Sequence, residues 1–355
     1  MRRGVVTGLR RAWPGAVELD VTVDGSPGRA LAYPALVGTP KVGDEVLLNT
    51  TAVDMGLGTG GYHLVVADLD RLAPDRSGPG HLVKARYTPL QAVVLGVDEE
   101  DSPHRRALTD AVSLDGQPVV VADLHSALPA IVVGLLAARP DARIGYVMTD
   151  GGSLPVWFSR SVAELTAAGA IVGTVTAGQA FGGDLEAVTL HSALLAAQVV
   201  LRADVTVVTQ GPGNLGVGTP WGFSGVAAGD AVNAIAALDG HPVASLRISD
   251  SDPRERHRGI SHHSRTAYGR VALARADVVV PALDEPLAGD VGRDLSESGI
   301  AMRHDLVRVP TDGLLEALRN SGFELSTMGR GLDEDPAYFL AAAAAGRFAA
   351  GLLTS

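Results

Sequence analysis

The chain contains no cysteine, and lysine is nearly absent, Lys41 and Lys84 being the only two. The first absence excludes disulfides, thiolate metal sites, iron–sulfur clusters and cysteine nucleophiles. Any chemistry must then come from histidine, carboxylates, hydroxyls and backbone amides. It also accords with a cytoplasmic location, which is the expectation. The second absence reads as codon bias and carries no functional message. Positive charge is scarce overall, with a formal net charge of −11 over 355 residues. Binding a polyanion needs a basic face that releases counterions, so no nucleic-acid partner is expected. A local strip at Arg254, Arg256 and Arg258, or at Arg2, Arg3, Arg10 and Arg11, would have to act against that overall sign. A secretion signal is not apparent either, because residues 1–13 carry four Arg with no apolar stretch behind them. The most apolar tail, residues 338–353, is too short for a bilayer and holds Arg347. It reads as a core-packed terminal helix, and no membrane partner is expected.

What is present is the composition of a globular, turn-punctuated protein, with 46% hydrophobic and 19% charged residues, 43 Gly and 20 Pro. Single cores stop growing at roughly 250 to 300 residues, so two unequal domains are expected. Residues 17–23 alternate apolar and polar with period two, and Asp24-Gly25 is a hairpin signal. Further strands are expected at 29–33, 44–50 and 62–67. Residues 1–72 therefore read as a small β-barrel-like module, and the Pro, Gly and Ser of residues 73–85 as a linker. From residue 86 to 355 the rhythm becomes strand, glycine-containing loop, amphipathic helix, repeated. Apolar β runs at 90–97, 118–122, 143–148, 170–175, 205–209, 242–248, 277–282 and 306–309 alternate with helix-length segments, among them 127–138, 155–168, 185–201, 225–238 and 265–274. That spacing predicts right-handed βαβ units and a doubly wound, mostly parallel α/β domain.

Such sheets bind ligands outside the carboxyl ends of their strands. Those ends are rich in Gly, His, Asp, Ser and Thr. Candidate ligand-binding residues are Gly151, then Gly178, Gln179, Gly182, Gly183 and Asp184, then Gly211, Gly213, Asn214 and Thr219, and finally Asp250. The segment 211–219 is the most glycine-dense; with no Cβ atoms its backbone can approach an anion, although it lacks the lysine of a P-loop. A tight strand-to-helix turn would use the same glycines, and Asp184 and Glu186 are equally suited to capping a helix. Candidate catalytic residues are His125, at the end of a buried β run, Asp150, and His262 and His263 in the polar stretch 249–266. Adjacent histidines on a helix point in different directions, so at most one of His262 and His263 is expected to face a ligand. The cofactor is unknown. A divalent metal held by His125, His262 or His263 with Asp150 or Asp250 is chemically possible, and nothing in the spacing demands it. Asp123, His125 and Ser126 do not amount to a triad, and no Gly-x-Ser-x-Gly elbow occurs. The run Gly56-Leu-Gly58-Thr-Gly60-Gly61 satisfies the dinucleotide pattern but leads into a β run, so the pyrophosphate logic fails there.

In combination, Gly60-Gly61-Tyr62-His63, Arg86-Tyr87-Thr88-Pro89, Gly178-Gln179, Gly182-Gly183-Asp184, Gly211-Pro212-Gly213 and Gly259-Ile260-Ser261-His262-His263-Ser264 are similar to a bacterial family described as domain of unknown function 3866. The resemblance spans essentially the whole chain and implies no chemistry, but it falls on the same loops. The order of β module, Gly-x-Gly-Asn loop and later strands also resembles the larger subunits of glycine and proline reductase complexes, whose cysteine, selenocysteine or pyruvoyl chemistry cannot be carried onto a chain without cysteine. The expectation is an enzyme binding a small polar or anionic metabolite at these loops; a non-catalytic sensor or scaffold with the same pocket is the alternative. A twofold homodimer is expected, since most soluble oligomers are of that kind.

Overall fold

Strict alternation closes the first module into a barrel. In this computed structural model, which describes residues 1–58, 60–73, 75 and 78–353, strands β1 (Arg2–Trp13), β2 (Ala16–Val23), β3 (Ser26–Ala32), β4 (Glu45–Asn49) and β5 (His63–Asp68) close in the order β1-β2-β3-β5-β4. Asp24 and Gly25 turn β2 into β3 with positive φ at both positions (48° and 78°), the signature of a tight primed turn. Val6, Leu19, Val21, Ala30, Val46, Leu48 and Val65 fill the barrel, while the intervening residues face outward. The glycine run at 56–61 leads into β5, as its β-run sequel requires; residue 59 lies outside the described residues.

The chain divides into two units, Met1–Val94 with Trp157–Ala163, and Leu95–Val156 with Glu164–Ser355. Within the first, β6 (Leu82–Lys84) and β7 (Ala92–Val94) pair as an antiparallel hairpin. Residues 74, 76 and 77 of the expected linker lie outside the described residues.

The second unit is built on β8 (Pro118–Val121), β9 (Ile144–Thr149), β10 (Gly173–Thr176), β11 (Leu185–Glu186), β12 (Val205–Gln210), β13 (His241–Ser245), a ribbon of β14 (Ile248–Ser249) and β15 (Gly259–Ile260), then β16 (Asp277–Pro281) and β17 (Asp305–Val309). Eight of these form one parallel sheet in the order β11-β10-β9-β12-β8-β13-β16-β17. Every residue of β8 and β12 is buried, so both faces of the sheet are covered, which is why these strands are unbroken Val, Thr and Gln runs and not alternating ones. Helix Leu128–Ala138 carries the chain from β8 to β9, and helix Ala227–Ala237 carries it from β12 to β13, in the opposite direction along the sheet. Right-handed crossovers running in opposite directions place their helices on opposite faces and open a crevice between the carboxyl ends of β8 and β12. Helix Pro336–Gly351 packs on helix Leu128–Ala138 backbone to backbone: a Cβ at Gly134 would lie 1.9 Å from the Ala343 carbonyl oxygen.

Two helices differ from expectation. Residues 185–201 are not one helix, because Leu185 and Glu186 add an edge strand to β10 and Thr189 starts the helix Leu190–Val199 with a capping box. The segment 265–274 is not a plain helix either. Ser261 caps a short helix, His262–Thr266, which passes into a π-helical turn, Ala267–Val271. There the Tyr268 hydroxyl is drawn to the carbonyls of Val121 (3.0 Å) and Ser245 (3.3 Å), and Asn233 Oδ1 takes the amides of Leu273 and Ala274, which stops the turn. Among the described residues no helix is long and apolar enough to cross a membrane.

Candidate functional site

The parallel sheet sets the loops after β10, β9, β12, β8 and β13 side by side along one edge. Several of their glycines serve loop-to-loop packing. A Cβ on Gly152 would lie 2.1 Å from the Gly211 carbonyl oxygen, and one on Gly211 2.2 Å from that of Ser153, so the two turns can stack only as bare backbone. In the loop after β10, the Gln179 amide donates to Asp150 Oδ2 (2.8 Å), with Gly178 directly above that carboxylate. The Gly182 amide donates to Glu186 Oε1, that of Gly183 to Thr176 Oγ1, and Asp184 Oδ2 accepts from the amide and hydroxyl of Thr174. Asn214 Oδ1 accepts from Gln210 Nε2, Ser224 Oγ and the Gly225 amide, and Thr219 Oγ1 accepts from the Gly222 amide. Asp250 is exposed and accepts from Ser251 Oγ. The amides of Gly213, Asn214, Gly218 and Thr219 make no bond among the described residues, and Gly218 lies against the Arg256 guanidinium.

His125 goes inward. Its Nδ1 is 3.0 Å from the Tyr146 hydroxyl, which also meets Thr209 Oγ1 at 2.9 Å. Burial lowers its pKa to about 4, so it is a neutral imidazole fixed at the base of the edge. Ser126 turns to Thr327 and Tyr338, away from any nucleophile–base arrangement with His125. A cavity of about 10 Å³, room for one water molecule, lies beside Asp123, Thr209, Gln210 and Ser224 in the β8/β12 crevice. The buried Oε1 of Gln210 has no hydrogen-bond partner among the described residues.

The densest polar cluster lies where β14 and β15 pair, closing the excursion 250–258 and presenting the Ser261 cap. His257, His262 and His263 gather there, with ring centroids 4.9 Å (257–262), 5.0 Å (257–263) and 4.4 Å (262–263) apart. One ligand atom from each lies within 4.8 Å of the others. Both His262 and His263 therefore turn their rings into the cluster, although they are adjacent on the helix. Successive helical positions are about 100° apart, not opposed, so two rings in a first turn can bracket a third. Ser261 Oγ organises the group by accepting from the His263 amide and meeting His257 Nδ1 at 2.7 Å. Phe223, at the end of the glycine-rich loop, stacks on His263 at 3.9 Å and 4°.

Around these rings the electrostatics are unusual. The side chain of Arg247, 4% exposed, holds Nη1 3.4 Å from His263 Nδ1 and donates through Nη2 to Asp252 Oδ2 at 3.3 Å. Asp252, fully buried, also receives Arg254 and Arg330, and Arg330 continues to Asp335. Against the upward pull of burial, the hydrogen bonds and charge of Arg254 and the charge of Arg247 hold the Asp252 carboxyl well below the usual carboxylate range. On the other side, Asp123 Oδ2 lies 3.7 Å from His263 Nδ1, is buried, and has no hydrogen-bond partner among the described residues. Burial pushes Asp123 up to about 6 despite Arg247. Burial, reinforced by the arginine charges, lowers His257 to about 3, His262 to about 4 and His263 to about 2, so all three are neutral near pH 7. His262 Nε2 is likewise buried and unpartnered. Neutral imidazoles with free ring nitrogens are the form in which histidine accepts a proton or a metal.

Of the residues expected at the site, His262 and His263 are in this cluster; His125, Asp150, Asp184 and Asp250 are held elsewhere along the edge. Asp123, Arg247 and His257 were not among the expected site residues. Their signals were there: three histidines within seven positions, and an arginine and a serine inside an otherwise apolar β run, Ser245-Leu246-Arg247-Ile248. No curated protein and no solved structure matches the chain, so the likeness to the reductase subunits gains no support. A family model does match over residues 29–346, and the chain belongs to that family, described as protein of unknown function (DUF3866).

Proposed function

We propose that the chain is an enzyme acting on a small polar, anionic metabolite at the carboxyl edge of its parallel sheet. The observation that carries this reading is Arg247, a nearly buried guanidinium set against three neutral imidazoles and the unpartnered Asp123 oxygen. A buried charge costs several kcal/mol, by the order of such penalties, and a fold has no need to spend that beside open ring nitrogens unless a ligand uses them. The amides of Gly213, Asn214, Gly218 and Thr219, unbonded among the described residues, with Arg256 beside Gly218, add donors for an anion. Asp123, raised to about 6, supplies a group able to take up and return a proton near neutral pH, and the imidazoles supply neutral ring nitrogens for hydrogen bonding.

The test is a screen of small carboxylates and phosphorylated compounds, followed by thermal shift and by mass spectrometry of the recovered ligand. A compound that raises the melting temperature and is converted supports catalysis; one returned intact supports the alternative, a sensor with the same pocket. If no compound binds, or if His262→Ala binds and converts it as the native chain does, the reading fails.

A further inference from the structure

We infer that His257, His262 and His263 form a binding site for a divalent transition-metal ion of the zinc type, with Asp123 as the outer partner of His263. This goes beyond the proposed function, which needs only a proton-transferring site.

The geometry fits on four counts. Three imidazoles bound to one tetrahedral ion at about 2.0–2.1 Å bring their ring centres to roughly 5 Å from one another, and the three rings here stand 4.4–5.0 Å apart. The ring nitrogens are disposed to leave Nε2 of each as the ligand. His257 Nδ1 is engaged by Ser261 Oγ, His263 Nδ1 faces Arg247 and Asp123, and His262 Nε2 is buried with no partner among the described residues. A ligating histidine almost always donates its other N–H to a carboxylate, carbonyl or hydroxyl, which fixes the tautomer. With an ion on Nε2 of His263 the proton must sit on Nδ1, which then gives up the long 3.4 Å contact from Arg247 Nη1 and turns its donor to Asp123 Oδ2, 3.7 Å away and without a partner among the described residues. Two orphaned buried atoms, His262 Nε2 and Asp123 Oδ2, thus find partners through one ion. A buried polar atom without a partner is costly, and one ion satisfies both.

Charge does not forbid the ion. Arg247 is paired with the fully buried Asp252, which it shares with Arg254 and Arg330, and Asp123 adds a carboxylate on the other side of His263 to offset the charge of an ion. Three protein ligands leave a tetrahedral position open, as in catalytic and not structural sites. The neighbouring guanidinium favours an anionic occupant there. Phe223 stacked on His263 provides the apolar wall that keeps bulk water away from one side.

The experiment is a titration of the full chain, freed of metal by a chelator, with cobalt(II) followed by visible absorption and with zinc as competitor. One cobalt per chain is expected, with the intense d–d bands of low-coordinate nitrogen ligation, displaced by zinc. His262→Ala and His257→Gln should each abolish the bands while circular dichroism stays native. Asp123→Asn should keep the one-to-one stoichiometry and weaken binding roughly 10- to 100-fold, the usual effect of losing an outer partner. Folded native protein that gives no bands, or bands that survive both histidine substitutions, overturns the assignment. The readout needs no substrate, so it separates from the functional proposal: a chain that binds cobalt but converts nothing fails only the latter, and one that converts a metabolite without binding cobalt fails only the former.

Discussion

Replacing Asp252 by Asn keeps the shape of a side chain on which three guanidiniums converge and removes its charge. The contacts are 3.3 Å to Arg247, 2.9 Å to Arg254 and 3.1 Å to Arg330. Breaking a buried ion pair costs about 3–5 kcal/mol, because the surviving charge is left without compensation. The three arginines do not suffer equally. Arg254 is 34% exposed and Arg330 16% and still paired with Asp335, so both can regain water or keep a partner, whereas Arg247 is 4% exposed. The expected loss is therefore at the lower end, about 3 kcal/mol, which for a unit of this size lowers the melting temperature by roughly 6–12 °C. The sign with pH follows from the lowered pKa of Asp252. A carboxylate whose folded pKa lies below its unfolded value of about 3.9 stabilises fully above that value and loses the contribution as pH falls further. The gap between native chain and Asp252→Asn should be constant from pH 5 to 8 and narrow below about pH 4. Thermal denaturation by circular dichroism across that range measures it. Adding Arg247→Met to Asp252→Asn should recover part of the loss, since the stranded charge is then gone. A single variant within about 1 kcal/mol of the native chain, or a double variant worse than the sum of its singles, would refute the view that Asp252 exists to hold Arg247 at the site.

His125 has a folded pKa lowered to about 4 against an unfolded value of 6.5, so the unfolded chain binds the proton first and stability falls on acidification. Between pH 7.5 and 5 that amounts to about 2 kcal/mol, and in urea titrations His125→Gln should lose this component of the pH dependence. Gly346→Ala should destabilise by about 1–3 kcal/mol, because its Cβ would sit 2.0 Å from the Ile131 carbonyl oxygen and force two helices apart. Gly292→Ala, with nothing within 4 Å, should instead gain up to about 1 kcal/mol from helix propensity, and equal signs in chemical denaturation would contradict this account. Asn214→Ala removes an acceptor shared by Gln210, Ser224 and Gly225. Hydrogen exchange of the bonded amides of Leu215, Val217, Ser224 and Gly225 should quicken about tenfold or more, the equivalent of one or two lost hydrogen bonds, while the sheet stays protected.

Much of the architecture was legible in periodicity. Period-two alternation at residues 17–23 and the Asp24-Gly25 turn marked the barrel, and continuous Val runs such as 118–122 and 205–209 marked strands buried on both faces. These are local properties, since a residue's neighbours along the chain decide which face it presents. Where tertiary contacts overrode local preference the expectation slipped. Leu185-Glu186 became an edge strand beside β10, and Tyr268 bonded across two strands where a regular helix was expected.

The same division runs through the site. By itself the sequence determined that any chemistry must use histidine, carboxylate, hydroxyl or backbone groups, and that such groups crowd the strand ends, because composition and alternation are properties of the chain. The tertiary structure alone decided which of them meet. His257 reaches His262 and His263 through the β14–β15 ribbon, Asp123 arrives from the end of β8, and Arg247 is carried in just past β13, paired with Asp252. It also decided that Gly152 and Gly211 are bare because two turns stack on them. Such meetings depend on strand order and on which charges survive burial, and both are set by contacts between segments distant in the chain.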